Sequence, residues 1–237
     1  MLEIINFSKS YKQSKKAVDN ISLTVNSGDI FGFIGHNGAG KTTTIKSIVG
    51  ILDFNEGDIM IDGLSIKDNP MECKRVISYI PDNPDLYEAL TGIQYLSFIA
   101  DVYGISKSQR ELLIKKYADK FELTRYLGDL IGSYSHGMKQ KLAIISALIH
   151  KPKLLVLDEP FVGLDPKASH TLKEIMKELC LEGSAIFFST HVLEVVEKLC
   201  NRVAIIKDGK IVAEGKTDEV RGDSSLEDIF MGLIDNE

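Results

Sequence analysis

Residues 35 to 42 read Gly-His-Asn-Gly-Ala-Gly-Lys-Thr, which satisfies every fixed position of the phosphate-loop pattern G-x-x-x-x-G-K-[ST]. Its flanks narrow the possibilities further. Ile30-Phe31-Gly32-Phe33-Ile34 is a short apolar run that predicts a buried strand. Ile45, Ile48, Val49 and Leu52 follow at i, i+3, i+4, i+7, one face of a helix. Strand, glycine loop and helix start together form an anion site. Gly35, Gly38 and Gly40 let backbone N–H groups close around phosphate oxygens, and the helix N-terminus adds unpaired donors and a positive dipole end. His36, Asn37 and Ala39 complete the loop, and Thr43 continues it into the helix. Lys41 is expected to reach the terminal phosphates and Thr42 to turn its hydroxyl toward Mg²⁺. A glycine-rich turn before an ordinary helix would need neither flank.

The chain has 237 residues, long for one compact domain, and suits one domain carrying an inserted subdomain. Hydrophobic residues make up 44% and charged residues 26%, as in water-soluble globular proteins. A net charge of −6 argues against nucleic acid as the main partner. Cys73, Cys180 and Cys200 are widely spaced and form neither a metal pattern nor an even disulfide set, which suits a reducing compartment. The first residues read as a strand rather than a signal peptide, and no apolar run approaches a membrane span. A cytoplasmic location is expected.

Residues 2–7 and 21–25 read as strands, and the Asp62-Gly63 and Asp208-Gly209 pairs as tight hairpin turns. From about residue 86 to 150 the pattern becomes helical. Ile93, Leu96, Ala100 and Tyr103 form one stripe, Leu113, Tyr117 and Phe121 a second, and Leu142, Ile145 and Ile149 a third. Strand signals return at Leu154–Leu157 and Ala185–Phe188, with Ala168, Leu172, Ile175 and Leu179 as a helix between them. Ser225 caps a last short helix through Leu226, Ile229, Phe230 and Leu233. The expected fold is α/β: a P-loop core with a mostly parallel sheet (1–85 and 151–218) that includes an antiparallel β subdomain, an inserted helical subdomain (86–150) and a C-terminal helix (219–237).

Asp158 and Glu159 end the apolar strand, the edge of an α/β sheet where ligands bind. One acid there can hold Mg²⁺ and its neighbour can orient and deprotonate an attacking water, which is most of what phosphoryl transfer asks of a protein. Here the chain resembles the ATP-binding cassette ATPases, the nucleotide-binding subunits of ABC transporters, from Tyr11 to about Gly215. The Leu154–Pro160 segment looks like the Walker B strand, with Glu159 at the catalytic glutamate. Gly163-Leu164-Asp165 looks like the D-loop and His191 falls on the switch histidine. Tyr11 falls where the family stacks a ring on adenine; a turn tyrosine covering the sheet is the competing reading.

Tyr134-Ser135-His136-Gly137-Met138 falls on the family signature, usually Leu-Ser-Gly-Gly-Gln, keeping only Ser135 and Gly137. Ser135 can cap the helix behind it, whose N-terminus can bind a γ-phosphate. In the family that phosphate belongs to the other subunit's ATP, so one phosphate loop and one signature imply a dimer, with a homodimer the simpler form. Asp82 stands where the family has its Q-loop glutamine. An aspartate can contact Mg²⁺ directly or through water but lacks the amide donor. The resemblance implies an ATPase using ATP and Mg²⁺, similar to subunits of bacterial ABC-2-type exporters. It also implies a permease docked near Pro84–Tyr95, through Leu86, Tyr87 and Leu90, which would hold the chain at the inner membrane face. Rival readings are a soluble cassette ATPase acting on ribosomes or DNA, and a scaffold that binds ATP without turnover.

Overall fold

The computed structural model describes residues 1–11 and 16–235. β1 (Leu2–Ser10) and β2 (Lys16–Val25) pair antiparallel, and β3 (Ile30–Ile34) leads through the glycine loop into α1 (Lys41–Ile48). β4 (Glu56–Ile61) returns beside β1 and turns into β5 (Leu64–Ser65). Asp62 and Gly63 make that turn with φ of 52° and 83°, the two positive values a type I′ hairpin requires. α2 (Pro70–Val76) and β6 (Ile77–Ile80) precede the helical insertion of α3 (Gly92–Val102), α4 (Lys107–Lys120) and α5 (His136–Leu148). The core resumes with β7 (Leu154–Asp158), α6 (Pro166–Leu181), β8 (Ala185–Thr190), α7 (Leu193–Leu199), β9 (Arg202–Lys207) and β10 (Lys210–Lys216). α8 (Thr217–Arg221) and α9 (Leu226–Asp235) follow, with the Ser225 hydroxyl accepting the Asp228 N–H at 3.1 Å.

The strands form an antiparallel sheet in the order β2-β1-β4-β5 and a six-stranded sheet in the order β10-β9-β3-β8-β7-β6. Within the second, β9, β3, β8, β7 and β6 are parallel and only the edge strand β10 is antiparallel. Its central strands are apolar throughout because both faces are covered. Alternate side chains divide between two cores. Ile34, Leu155, Leu157, Ile186 and Phe188 face the helical side, whereas Phe31, Phe33, Leu154, Val156 and Phe187 face α1 and the antiparallel sheet. Phe187 stacks on Phe31 at 5.7 Å and tilts against Phe33 at 5.3 Å. Each such buried ring contributes about 1.5–3 kcal/mol. The parallel pairing of β3, β8 and β7 puts their C-terminal ends at one edge of the sheet, where the phosphate loop, Asp158 and Thr190 lie.

Two helical stripes differ from the expected ones. α1 ends at Ile48 and Leu52 lies beyond it, because Gly50 takes φ +66° and the Lys46 carbonyl turns back to the Ile51 and Leu52 N–H groups. On α3 the buried face is Gly92, Tyr95, Leu96 and Ala100, leaving Ile93 40% exposed. A bulkier residue at 92 would strike the Tyr134 hydroxyl, so the small residue sets which face turns inward. Tyr103 lies just past α3 and stacks on His150 at 3.7 Å instead of entering the core.

His150 joins the helical insertion to the sheet. Its Nε2 lies 3.2 Å from the Ile77 carbonyl and 3.1 Å from the Ser78 hydroxyl. Burial pushes its pKa down to about 4, partly offset by the Ile77 bond. Below the unfolded value of about 6.5 the unfolded chain binds a proton that the folded one does not. Stability is therefore expected to fall as pH drops from 6.5 toward 4, by up to about 3 kcal/mol. A His150→Phe variant should flatten that part of a thermal-melting profile against pH. An identical slope in the variant would remove His150 as its origin.

Candidate nucleotide site

The loop from Gly35 to Gly40 is clamped on both sides. A Cβ at Gly35 would run into the Ile206 carbonyl. One at Gly40 would lie 2.7 Å from the Ala17 carbonyl, and Gly40 itself has φ +113°. The β9–β10 turn closes the clamp: the Gly209 N–H donates to the Ala39 carbonyl at 2.9 Å and the Asp19 N–H to the Gly209 carbonyl at 2.8 Å. Gly40 begins α1 without any side-chain cap, so the first turn keeps its N–H groups for the cleft.

Lys41 is buried, and its Nζ donates to the carbonyls of Gly35 at 2.7 Å and His36 at 3.3 Å. Burial lowers its pKa, while the Glu159 and Asp158 charges oppose that shift. The Thr42 hydroxyl donates to Asp158 Oδ2 at 3.0 Å. Asp158 Oδ1 accepts from the Ser189 hydroxyl at 2.5 Å, so both carboxylate oxygens are aimed by neighbours. Glu159 follows with a left-handed φ of 49°, its N–H on the Ser189 carbonyl at 3.2 Å. Its Oε1 lies 3.0 Å from His191 Nδ1, and its Oε2 is buried with no hydrogen-bond partner among the described residues. His191 stands immediately after β8, on the exposed side of Glu159. Burial pushes the Tyr79 pKa up to about 12, and the Asp158 and Asp82 charges add to the shift.

These groups surround a cleft of about 220 Å³ lined by His36, Asn37, Gly38, Gly40, Lys41, Thr42, Thr43, Asp82, Asp158 and Glu159, together with Ala17. Gly35 and Ala39 support the loop from beneath, and Ala39 is fully buried. Tyr11 stays outside, 47% exposed, its hydroxyl 3.3 Å from that of Thr43 at the rim. Asp82 is exposed on the wall. Ser135 and Gly137 do not join this cleft. They begin α5, where Ser135 Oγ accepts the Met138 N–H at 3.3 Å, and a Cβ at Gly137 would meet the Gly163 carbonyl. Ser189 and Ala17 were not among the sequence candidates. Ser189 carried a faint signal as a hydroxyl closing an apolar strand, and Ala17 carried none.

The donor set fits a polyphosphate. The loop is closely backed yet open above Gly38, where a Cβ would touch nothing within 4 Å. It also fits a hard cation shared with phosphate. Among the described residues no three His, Cys, Asp or Glu side chains form a metal cage.

A glycine loop between a central parallel strand and a helix, with an acid pair at the end of the next strand but one, defines a phosphate-loop nucleoside-triphosphatase. The comparisons narrow the class. The ABC transporter family model matches residues 18–162. The ABC-type transporter ATP-binding protein EcsA of Bacillus subtilis (strain 168) is 36% identical over 219 residues, 90% of this chain and 89% of that protein. The linearmycin resistance ATP-binding protein LnrL of the same organism is 35% identical over 237 residues, 98% of this chain and 76% of that protein. A solved structure of the ATP-binding subunit of an ABC transporter superposes with a TM-score of 0.95 at 36% identity, covering 99% of each chain. The chain belongs to the ABC transporter family, as an ATP-binding, ATP-hydrolysing subunit. Among the described residues no helix is long and apolar enough to cross a membrane.

Proposed function

We propose that this chain is the motor subunit of an exporter, that it works as a homodimer around two Mg-ATP, and that it sits on the cytoplasmic face of a separate permease. The observation that carries the hydrolytic part is the chain of contacts Thr42–Asp158–Ser189 beside Glu159–His191, all at the mouth of one glycine loop. Residues Gly35 to Thr43 bind the phosphates, and Lys41 exchanges its two carbonyl partners for phosphate oxygens. Tyr11 covers the adenine. Thr42 and Asp158 would hold Mg²⁺, with Asp82 directly or through water, and the ion would neutralise phosphate charge. Glu159 takes a proton from water as the water oxygen bonds to the γ-phosphorus and the bond to the ADP oxygen breaks. His191, bonded to Oε1, orients the carboxylate and reaches toward the γ-phosphate.

Ser135 and Gly137 at the α5 N-terminus do not line their own cleft, which supports a second copy. There Ser135 and the Gly137 N–H would meet the γ-phosphate held by the partner. ATP then acts as glue, and closure moves the helical segment 86–150 against 1–85 and 151–218.

For the permease, the proposed Pro84–Tyr95 segment needs one revision. Leu86 is buried and Leu90 half-buried in the helical core, so of the three apolar residues only Tyr87 faces out, 61% exposed. Tyr87 packs edge-on to exposed Phe98 at 5.9 Å. A groove lined by Met71, Lys74, Arg75, Val102 and Tyr103 offers an apolar floor with a basic edge for an amphipathic helix. LnrL is named for resistance to linearmycin, which favours outward transport.

The test is a pull-down of tagged Glu159→Gln chain from native membranes in mild detergent with ATP. A stoichiometric multi-span membrane protein is expected, and Tyr87→Glu should weaken its recovery. Recovery with ribosomes, or with nothing, would favour the soluble ATPase reading instead.

A further inference from the structure

Gln140 is fully buried, and neither its Oε1 nor its Nε2 has a hydrogen-bond partner among the described residues. A buried amide with four unused hydrogen-bonding positions is costly, and a leucine of similar size would avoid the cost. Its place in the fold suggests what the amide is for. At about 100° per residue, the side chain at 140 projects between those at 136 and 137 one turn earlier. Those neighbours face the loop after β7: the His136 ring packs on Gly163, and Gly137 abuts the Gly163 carbonyl. Lys141, next along α5, holds Asp165 at 2.7 Å. Gln140 therefore lies on the arc of α5 turned toward residues 163–165, in the loop that follows Glu159.

That loop begins with Glu159, which stands in the left-handed region and also carries a buried, unpartnered oxygen. Its internal hydrogen bonds are long, 3.2 Å from Val162 N to the Glu159 carbonyl and 3.4 Å from Leu164 N to the Phe161 carbonyl. We infer that Gln140 is a positioning residue for hydrolysis: when ATP closes the cleft, its amide pairs with the main chain of Pro160–Gly163 and so sets the direction of the Glu159 carboxylate. The cost carried in the resting state is recovered only in the closed state, which makes closure and alignment of Glu159 one event. The inference rests on the assignment of Glu159 as the base.

Gln140→Leu removes the polar atoms at nearly constant volume, and Gln140→Met does so with a flexible chain that tolerates local packing. For both, the Tm without nucleotide is expected to equal or exceed that of the wild type. kcat for ATP hydrolysis should fall about tenfold or more, with KM for ATP within about twofold. Unchanged kcat in either variant overturns the inference. So does a lower Tm, or failure of both variants to fold, since the amide would then be holding the resting structure. Glu159→Gln is measured in parallel. If it is inactive while Gln140→Leu turns over normally, only the role of Gln140 falls; if it turns over normally, the assignment of Glu159 falls.

Discussion

Glu159→Gln is expected to bind ATP as the wild type does, to lose at least about 10²-fold in turnover, and to accumulate as a dimer when ATP is present. The amide keeps the shape of the carboxylate and can still face His191 Nδ1, now 3.0 Å from Oε1, so the ground state changes little. What it loses is a site for the proton of the attacking water. The buried Oε2 has no hydrogen-bond partner among the described residues, whereas Oε1 is engaged by His191, so Oε2 is the oxygen expected to take that proton. Phosphate release measures the rate, and size-exclusion chromatography with and without ATP measures the dimer. Turnover near that of the wild type would remove Glu159 from the base role. Slow turnover without a dimer would keep the chemistry and overturn the ATP-glued homodimer.

Lys41→Ala should lower ATP affinity by about 10–100-fold, the worth of one charge-assisted contact of about 1.5–3 kcal/mol. Lys41 Nζ now holds the Gly35 and His36 carbonyls, so its truncation also removes the tie across the loop. A modest loss of thermal stability without nucleotide is therefore expected alongside the loss of binding. Isothermal titration with ATP reads the first effect and calorimetric melting the second. Unchanged affinity in a folded variant would contradict the phosphate-loop reading, whereas a melt lowered with affinity intact would reduce Lys41 to a structural clamp.

Elements with strong periodicity were legible in advance. Leu154–Leu157 reads as a strand covered on both faces and is one, flanked by parallel β6 and β8. The Asp-Gly pairs at 62–63 and 208–209 read as hairpin turns and both have the positive φ values such turns require. The helical insertion was legible because its apolar spacing changes from two to between three and four. The stripe on α3 was less so: Ile93 is the more apolar residue in the sequence, yet the close approach of Gly92 to Tyr134 turns the face with Tyr95 inward. The end of α1 was missed because Leu52 continues the period that Gly50 breaks.

The sequence by itself determined the local chemistry: glycines where backbone must approach anions, an acid pair after an apolar strand, a capping serine before an amphipathic helix. Each depends on neighbours a few residues away, so spacing alone reveals it. The tertiary structure alone decided what meets across the chain. Thr42 and Ser189 are brought onto the two oxygens of Asp158, and the Gly209 turn is set under Ala39. The same packing leaves Gln140 buried with its amide unpaired among the described residues. Those contacts are fixed by the order in which β3, β7, β8 and β9 lie in one sheet, and strand order is a property of the packed whole, not of any segment.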